Sequence, residues 1–351
     1  TTGEVMAQKY QTRHSTCRYC TVLCGHKGHY PDGVIRQIPE YETNGVFGSN
    51  IENYDTDKIG VWNDIMNDMG MDTISAGVTI SWAMEAGERG IRKTELSFEN
   101  HDNISQVLED IAYKRGEGAE LALGSKRLSE KYGGRDYAIH VKGLEMAAYD
   151  PRASWGHGLG YAVTNKGGCH LGSYVISLEV LLGFMPAKIT LGKASWVVFM
   201  EDIFSGLNSL QTCLFTSMAL MTEPVIPKYM PLLVLNVSTV MNPKLAQMLM
   251  NWSVYSDLFS AITGVKMNQW QFLRAGQRIT KLERYMDVLM GMKPSDDTLP
   301  NRFVKETETK FPDKSVVPIE KMVKSYYRAR KYDPATAGPR IKDLQKLGIP
   351  V

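Results

Sequence analysis

Three of the five cysteines fall within eight residues, as Cys17-x2-Cys20-x3-Cys24. Spacings of two and three residues let a single loop place several thiolates around one metal centre, and zinc and iron–sulfur clusters are the usual occupants. An odd number of cysteines argues against a disulfide framework. The spacing therefore predicts that the first part of the chain is a loop organised by a metal centre.

The identity of that centre depends on its fourth ligand, and the spacing leaves two alternatives open. Zinc would accept His26 or His29 nearby, whereas a cubane iron–sulfur cluster would take a fourth thiolate from Cys169 or Cys213. Each of these two cysteines, taken alone, is typical of a small buried hydrophobic residue.

Composition places the chain among globular proteins and excludes some functions. Hydrophobic residues make up 43% and charged residues 22% of the chain, which is ordinary for a globular protein. A length of 351 residues is more than one hydrophobic core usually organises, so two domains are expected. Because the net charge is only +2, binding to nucleic acid or to an acidic membrane is not expected. No apolar run approaches the length of a membrane span, and no secretory leader opens the chain. We expect a cytoplasmic protein, and because the chain begins at Thr1 rather than methionine, we expect it to be part of a longer or processed polypeptide.

Hydrophobic periodicity predicts a mostly α, multihelical fold of two helical domains, 1–145 and 146–351. Residues 1–60 and the glycine-rich stretch 133–172 are predicted to be largely loop. Helices are expected between these stretches and after them, at 104–115, 119–132, 173–183, 194–204, 210–221, 243–251, 257–263 and 320–330.

Several segments, in order, resemble the last two domains of the aldehyde:ferredoxin oxidoreductase family of tungsten or molybdenum bis-pterin enzymes. The resemblance covers about residues 14–304 and rests on the ordered set of motifs rather than on any one of them. The segments are Cys17-x2-Cys20-x3-Cys24, Pro39-Glu40-Tyr41-Glu42-Thr43, Asp68-Met69-Gly70-Met71-Asp72, Gly116-x-Gly118-Ala119-Glu120-Leu121, His140-Val141-Lys142-Gly143-Leu144-Glu145, Tyr149-Asp150-Pro151-Arg152, Gly158-Leu159-Gly160-Tyr161-Ala162, Gly168-Cys169-His170-Leu171, Leu282-Glu283-Arg284 and Asp296-Asp297-x-Leu299-Pro300-x-Arg302-Phe303.

Two pterin motifs depart from the family pattern. Asn67 stands where the first motif has an aspartate, and the second motif runs from Asn208 through Gln211 and Thr212 to Cys213. Gly172 stands where family members tend to carry a basic residue. These departures suggest an atypical branch, such as the tungsten subunits of benzoyl-CoA reductase type.

The resemblance implies a site that joins a [4Fe-4S] cluster to a tungsten or molybdenum bis-pterin with a bridging magnesium ion. The implied cluster ligands are Cys17, Cys20, Cys24 and Cys213. The implied cofactor contacts are Asn67, Asp72, Lys142 and Asn208, and the implied catalytic residues are Glu42, Glu40 and His170. Without the resemblance, the two glutamates would be interpreted as solvated surface groups and His170 as a buried structural histidine.

The implied reaction is oxidation of an aldehyde to a carboxylic acid, with electrons passed to ferredoxin or to an electron-transfer subunit. One alternative is a tungsten subunit that reduces an aromatic acyl-CoA. Another is a non-catalytic chain that carries only an iron–sulfur cluster or zinc and lacks pterin. The family's N-terminal pterin-cradling domain is absent from the sequence, and homo-oligomer formation is also expected.

Overall fold

The computed structural model describes residues 2–216, 231–248, 250, 252–307 and 316–351. The chain divides into two compact units, Thr1–Tyr149 and Asp150–Val351, so the break lies four residues beyond the boundary predicted after residue 145. Helices dominate both units in the described residues, which confirms the mostly α prediction. No helix among them is long and apolar enough to cross a membrane.

The first unit begins with a helix and a small antiparallel sheet. Helix α1 (Gly3–Tyr10) precedes strands β1 (Arg13–His14), β2 (His26–His29) and β3 (Ile35–Gln37), which pair in chain order. Strand β1 pairs with β2 so that His14 lies opposite His26. The predicted loop over 1–60 is therefore wrong for α1, for this sheet and for the two helices that follow it.

The rest of the first unit is a helical layer. Its elements are α2 (Tyr41–Phe47), a 3₁₀ turn (Ser49–Ile51), α3 (Thr56–Asp68), α4 (Thr73–Glu88), α5 (Ile104–Tyr113), α6 (Gly118–Leu121), α7 (Gly124–Tyr132), a 3₁₀ turn (Arg135–Tyr137) and the hairpin β4 (His140–Val141)–β5 (Leu144–Glu145). Helix α4 is central because Ala76 to Met84 is buried on nearly every side. The helix predicted over 119–132 is interrupted, because Gly124 adopts a left-handed φ of 80°.

The second unit is organised around two long helices that pack together, α9 (Lys193–Ser209) and α13 (Gln269–Leu289). At Gly276 their backbones approach so closely that a Cβ would lie 1.7 Å from the Asp202 carbonyl oxygen. The other elements are α8 (Trp155–Val163), a π-helical turn (Ser177–Leu181), α10 (Leu232–Met241), α11 (Pro243–Met248), α12 (Ser253–Thr263), a 3₁₀ turn (Pro294–Asp296), α14 (Asn301–Lys305), α15 (Ile319–Arg330), the hairpin β6 (Tyr332–Asp333)–β7 (Gly338–Pro339) and α16 (Ile341–Lys346).

Several of the predicted helices are found in this unit, with shifted ends. Helix α9 extends the predicted 194–204, α12 extends 257–263, and α15 matches 320–330 to within one residue. The predicted helix 173–183 is reduced to the π-helical turn, and α8 lies inside the stretch predicted to be loop. Of the helix predicted over 210–221, residues 217–221 lie outside the described residues.

Candidate redox site

The three clustered cysteines lie in a loop that closes the β1–β2 hairpin. Ser15 donates its backbone N–H to the Gly25 carbonyl at 2.9 Å, which pins the base of the loop. Gly25 is required there because a Cβ would lie 2.4 Å from the Ser15 carbonyl oxygen. Tyr19 and Leu23 adopt left-handed φ angles of 64° and 56°, which turn the chain sharply between successive cysteines.

None of the five thiols forms a disulfide, and most of them are exposed. All five cysteines of the chain are free; Cys17, Cys24 and Cys213 are exposed, and Cys20 is half-buried. Within the described residues, no three His, Cys, Asp or Glu side chains come together as metal ligands. The chemistry of the loop thiols nevertheless fits a thiolate-ligated centre, since a short loop free of disulfides carries three of them. Cys213 belongs to the second unit.

Histidines flank the base of the cysteine loop. The rings of His14 and His26 lie 4.6 Å apart across the hairpin. The Nδ1 of His26 lies 3.2 Å from the Cys24 carbonyl oxygen, and the Nδ1 of His14 lies 3.2 Å from the Leu23 carbonyl oxygen. Both imidazoles therefore engage the loop backbone, and His29 lies further along β2.

Glu42 and Glu40 are placed differently by the start of α2. Glu40 occupies the N-cap position, is exposed, and makes no capping hydrogen bond with its side chain. Glu42 lies in the first turn and is half-buried, and its Oε2 accepts the Ala148 backbone N–H at 3.0 Å. Gly45 permits this contact, because a Cβ there would lie 2.3 Å from the Ala148 Cβ. Of these two carboxylates, Glu42 is the one that is half-buried and fixed by a hydrogen bond from the Ala148 backbone.

The environment of Glu42 favours a carboxyl group that holds a proton more readily than usual. Burial raises its pKa above the ordinary value for glutamate, and the negative charge of Glu40 raises it further. The Ala148 N–H and the Tyr149 hydroxyl donate hydrogen bonds to the carboxylate and act in the opposite direction. Tyr149 also stacks on Tyr41, with ring centroids 4.9 Å apart.

Tyr149 is a site residue to which the sequence analysis gave no role. The tyrosine was visible in the Tyr149-Asp150-Pro151-Arg152 motif. The sequence gives no sign that Tyr149 lies close to Glu42, because 106 residues separate Glu42 from Ala148, the neighbour of Tyr149. The one usable signal was a tyrosine placed directly before a rigid Asp-Pro pair.

The predicted cofactor contacts of the first unit lie at element ends. Asn67 is an exposed residue in the last turn of α3. Asp72 is the N-cap of α4 and accepts the Ser75 backbone N–H at 2.7 Å. Lys142 occupies the two-residue β4–β5 turn with a left-handed φ of 54°. Asp72 therefore has a structural role whether or not it also contacts a cofactor.

In the second unit, His170 lies in a half-buried turn after α8, beside a buried aromatic cluster. Its ring lies 6.2 Å from that of Tyr174, and Tyr174 lies equally far from His157. His157 is 1% exposed and packs edge-on against Tyr161 at 4.6 Å. Burial lowers the pKa of His157 to about 3, and His170 contributes in the same direction. His157 is therefore neutral at physiological pH.

Asn208 lines a cleft of about 270 Å³ within the second unit. Phe204 and Ile279 contribute apolar surface to the cleft, and its polar and charged lining residues are Thr164, Asn165, Lys166, Glu201, Ser205, Asn208, Ser209, Thr280 and Glu283. Gly172 also lines it, and a Cβ there would lie 2.5 Å from the Thr164 Oγ1. Asn208 lies in the last turn of α9, and Cys213 follows five residues later. The amide and hydroxyl groups of this lining offer both hydrogen-bond donors and acceptors to a polar ligand.

Comparison with known proteins places these observations in a family. The family model for domains 2 and 3 of aldehyde ferredoxin oxidoreductase matches residues 1–349. The tungsten-containing aldehyde ferredoxin oxidoreductase of Pyrococcus furiosus is 34% identical over 360 residues, and that of Pyrococcus horikoshii is 33% identical over 362. Each alignment covers 99% of this chain and 54% of the relative, so the chain spans about half the length of these curated relatives.

Two more distant matches are a sequence relative and a solved structure. The WOR-like subunit of the aliphatic sulfonate oxidoreductase of Pyrococcus furiosus is 27% identical over 340 residues, covering 90% of this chain and 46% of that subunit. The active-site complex of benzoyl coenzyme A reductase, solved with 1,5-dienoyl-CoA, superposes with a TM-score of 0.68 at 17% identity, covering 99% of this chain and 54% of that one. The family predicted from the ordered motifs is confirmed: residues 1–349 match domains 2 and 3, and the chain belongs to the aldehyde ferredoxin oxidoreductase family.

Proposed function

We propose that this chain is the iron–sulfur and pterin-contacting part of a tungsten or molybdenum oxidoreductase that oxidises an aldehyde to a carboxylic acid. The observation that carries the proposal is Glu42, a half-buried carboxylate with a raised pKa that is oriented by two hydrogen bonds. A carboxylate whose pKa lies closer to neutrality is suited to proton transfer. The sequence relatives at 33–34% identity are named as tungsten-containing aldehyde enzymes.

The proposed roles follow from ordinary carbonyl chemistry. Conversion of an aldehyde and water to a carboxylic acid releases two electrons and two protons. When bound, a bis-pterin tungsten or molybdenum centre supplies the two-electron redox chemistry. Glu42 takes up a proton on a carboxylate oxygen, and His170 stabilises charge on the substrate oxygen by donating a hydrogen bond. Exposed Glu40 is the second candidate for the proton acceptor.

The proposed cofactor ligands keep the assignments implied by the family. Cys17, Cys20, Cys24 and Cys213 would hold a [4Fe-4S] cluster that passes electrons one at a time to ferredoxin or a partner subunit. Asn67, Asp72, Lys142 and Asn208 would contact the pterins and their bridging magnesium ion. Pterin binding by this chain would also need the other half of the family protein, supplied on the same polypeptide or as a separate chain.

Reduction of an aromatic acyl-CoA is the second candidate function. Two observations favour it: the likeness of fold to the benzoyl coenzyme A reductase complex, and the amides in place of carboxylates at Asn67 and in the Asn208 motif. Turnover of an aldehyde series, compared with aromatic acyl-CoA thioesters and a low-potential electron donor, separates the two. Activity on thioesters alone would replace the aldehyde proposal.

Metal analysis and two variants test the proposal in the protein purified from its native source. We expect tungsten or molybdenum with about four irons per chain, whereas a single zinc would indicate the non-catalytic alternative. Cys213→Ser should remove the cluster signal from low-temperature EPR spectra, with Cys169→Ser as the matched control. An unchanged signal in Cys213→Ser would refute the ligand assignment.

The second variant, Glu42→Gln, should retain metal and lower turnover by about 10²-fold or more, as expected for loss of a general base. Glu40→Gln is its matched control, since it removes a nearby exposed carboxylate from the same helix start. Full activity in Glu42→Gln together with loss in Glu40→Gln would move the role to Glu40.

A further inference from the structure

The end of the second unit forms a basic pocket that no candidate redox residue lines. Its volume is about 350 Å³, and we call it the C-terminal pocket. Its lining consists of Lys324, Tyr327, Arg328, Lys331, Tyr332, Pro334 and Arg340. Four of these seven side chains are cationic and none is acidic, in a chain whose overall net charge is only +2.

The cations converge because three elements meet at the pocket. Lys324 and Arg328 lie one turn apart on α15, and Lys331 is the left-handed C-cap of that helix, with a φ of 59°. Arg340 follows β7 and stands at the N-cap of α16. The hairpin register pairs Tyr332 with Pro339, which brings the preceding Lys331 beside the following Arg340.

Few carboxylates in the described part of the chain offset this positive charge. Arg340 forms an ion pair with Asp343 at 2.9 Å, and the Arg328 Nη2 donates to the Ser325 Oγ at 3.3 Å. Asp333, next to the pocket, uses its Oδ1 to accept the Ala335 backbone N–H. Neither Lys324 nor Lys331 has a salt bridge to any described residue. Burial lowers the pKa of nearby Lys281, and the charges of Arg330 and Lys331 act in the same direction.

Stabilisation of a helix C-terminus explains only part of this arrangement. Cations in the last turn of α15 interact favourably with the helix dipole. That reason does not apply to Arg340, which comes from another element and stands at the start of a helix, where a cation is unfavourable. Like charges placed side by side across a hairpin are also destabilising. A bound anion would offset both costs.

The shape and the floor of the pocket indicate the class of anion. Tyr327 and Tyr332, each 5% exposed, form an aromatic floor. The Tyr327 hydroxyl donates to Asp297 at 2.7 Å, which fixes its ring. Lysine and arginine side chains around a concave site are the usual ligands of phosphate groups. We propose that the C-terminal pocket binds the phosphate or diphosphate group of a small phosphorylated ligand, with the tyrosine rings beneath it.

Calorimetric titration of the full chain tests the proposal, with inorganic pyrophosphate, ADP and adenosine as probes. We expect pyrophosphate and ADP to bind and adenosine not to bind. Equal affinities for the first two would identify a site for the phosphate groups alone, and tighter binding of ADP would identify a nucleotide site. Both results support the proposal. Because charged hydrogen bonds dominate, affinity should fall as salt rises to about 0.15 M.

Variants locate the binding. Lys324→Gln and Lys331→Gln should each weaken pyrophosphate binding by about tenfold, as expected for loss of one charge-assisted hydrogen bond. Lys321→Gln is the matched control, since it is an exposed lysine on the same helix that does not line the pocket. Circular dichroism should be unchanged in all three.

Three results would overturn the proposal. They are the absence of pyrophosphate and ADP binding to the unmodified chain, equal binding by Lys331→Gln and Lys321→Gln, and binding of a glutamate-rich peptide without binding of pyrophosphate. The last result would identify the pocket as a docking surface for an acidic protein. None of these measurements depends on redox activity, so they are independent of the proposed function.

Discussion

The cysteine loop of the first unit and the ionic core of the second unit differ in the solvent exposure of their polar side chains, which is high in the loop and low in the core. Cys17 and Cys24 are exposed thiols on a turn whose base is closed by a backbone hydrogen bond between Ser15 and Gly25. In the core, Arg330 is 2% exposed and donates to both Glu201 and Asp202, and the Tyr326 hydroxyl donates to Glu201 at 2.7 Å.

A second buried pair follows the same pattern. Arg284 donates to Asp297, to the Ala337 carbonyl and to the Val163 carbonyl, and all of these contacts are buried. Side chains that satisfy one another in this way hold α9, α13 and α15 in place. Side chains whose polar atoms remain accessible, as in the cysteine loop, are available to an external group. Burial of charge therefore separates this ionic core from the thiols of the cysteine loop.

The largest expected effect is on the buried core. Arg330→Met should lower the free energy of unfolding by about 3–5 kcal/mol, because Glu201 and Asp202 lose their counter-charge in a buried site. Urea denaturation measures this change. Arg328→Met, which removes an exposed arginine from the same helix, should change the free energy of unfolding by about 0.5 kcal/mol or less. Similar losses of unfolding free energy in Arg330→Met and Arg328→Met would show that the buried ion pairs do not stabilise the second unit more than exposed charges do.

The next largest effect is a pH dependence of stability. The pKa of His157 is about 3 in the folded chain, below its ordinary value of 6.5. The unfolded chain therefore binds more protons between these values, and stability is lost as pH falls from 6.5 towards 3. Between pH 6.5 and 4 the loss from this group should be about 3 kcal/mol. Denaturation of His157→Leu across this range should show a shallower slope, and an unchanged slope would contradict the assignment to His157.

A smaller effect is expected at the start of α4. Asp72→Ala should lower the free energy of unfolding by about 1 kcal/mol, since the Ser75 N–H loses its capping acceptor. Asp72→Asn should retain most of the stability lost in Asp72→Ala, because asparagine also caps helices, although it removes the negative charge of the aspartate. If cofactor content falls in Asp72→Asn although stability is retained, the residue has both roles. Equal stability of Asp72→Ala and the unmodified chain would contradict the capping role.

Tyr149→Phe sharpens the description of Glu42. Because the Tyr149 hydroxyl favours the ionised form of the Glu42 carboxyl group, its removal should raise the pKa of Glu42 further. The acid limb of the turnover profile should move to higher pH. Carboxyl ¹³C NMR of the metal-free chain measures the same shift without activity, and Tyr41→Phe is the matched control. A shift in NMR without one in turnover would separate the contact from the proposed catalysis.

The smallest effect is expected in the cysteine loop. In metal-free protein, Cys24→Ser should change the free energy of unfolding by about 0.5 kcal/mol or less, because the exposed thiol makes no packing contribution. The same substitution should greatly reduce iron binding. A loss of stability comparable to that of Arg330→Met would show that the loop is part of the scaffold.

The sequence was a good guide where local patterns decide the structure. The amphipathic helix α15 could be anticipated because the spacing of its apolar residues is a pattern that acts within a few residues. The first turns of the chain were harder. Helix α1 was missed because only Met6 and Tyr10 are buried on it, which is too weak a periodic signal.

Helix α8 was missed for a different reason. Glycine density in 156–160 indicated loop, but the helix is buried on every side and its glycines allow close contacts. At Gly160, a Cβ would lie 2.2 Å from the Ser173 Oγ. Tertiary packing thus overrode the low helix propensity of glycine.

The sequence by itself determined the family, the thiol loop and the mostly helical class, because each depends on residue types at short, ordered spacings. Only the tertiary structure distinguished Glu42 from Glu40, brought Tyr149 to Glu42, and gathered cations from α15 and α16 around one pocket. Those outcomes depend on contacts between residues far apart in the chain, and on the exclusion of water from some of them, which no local pattern specifies.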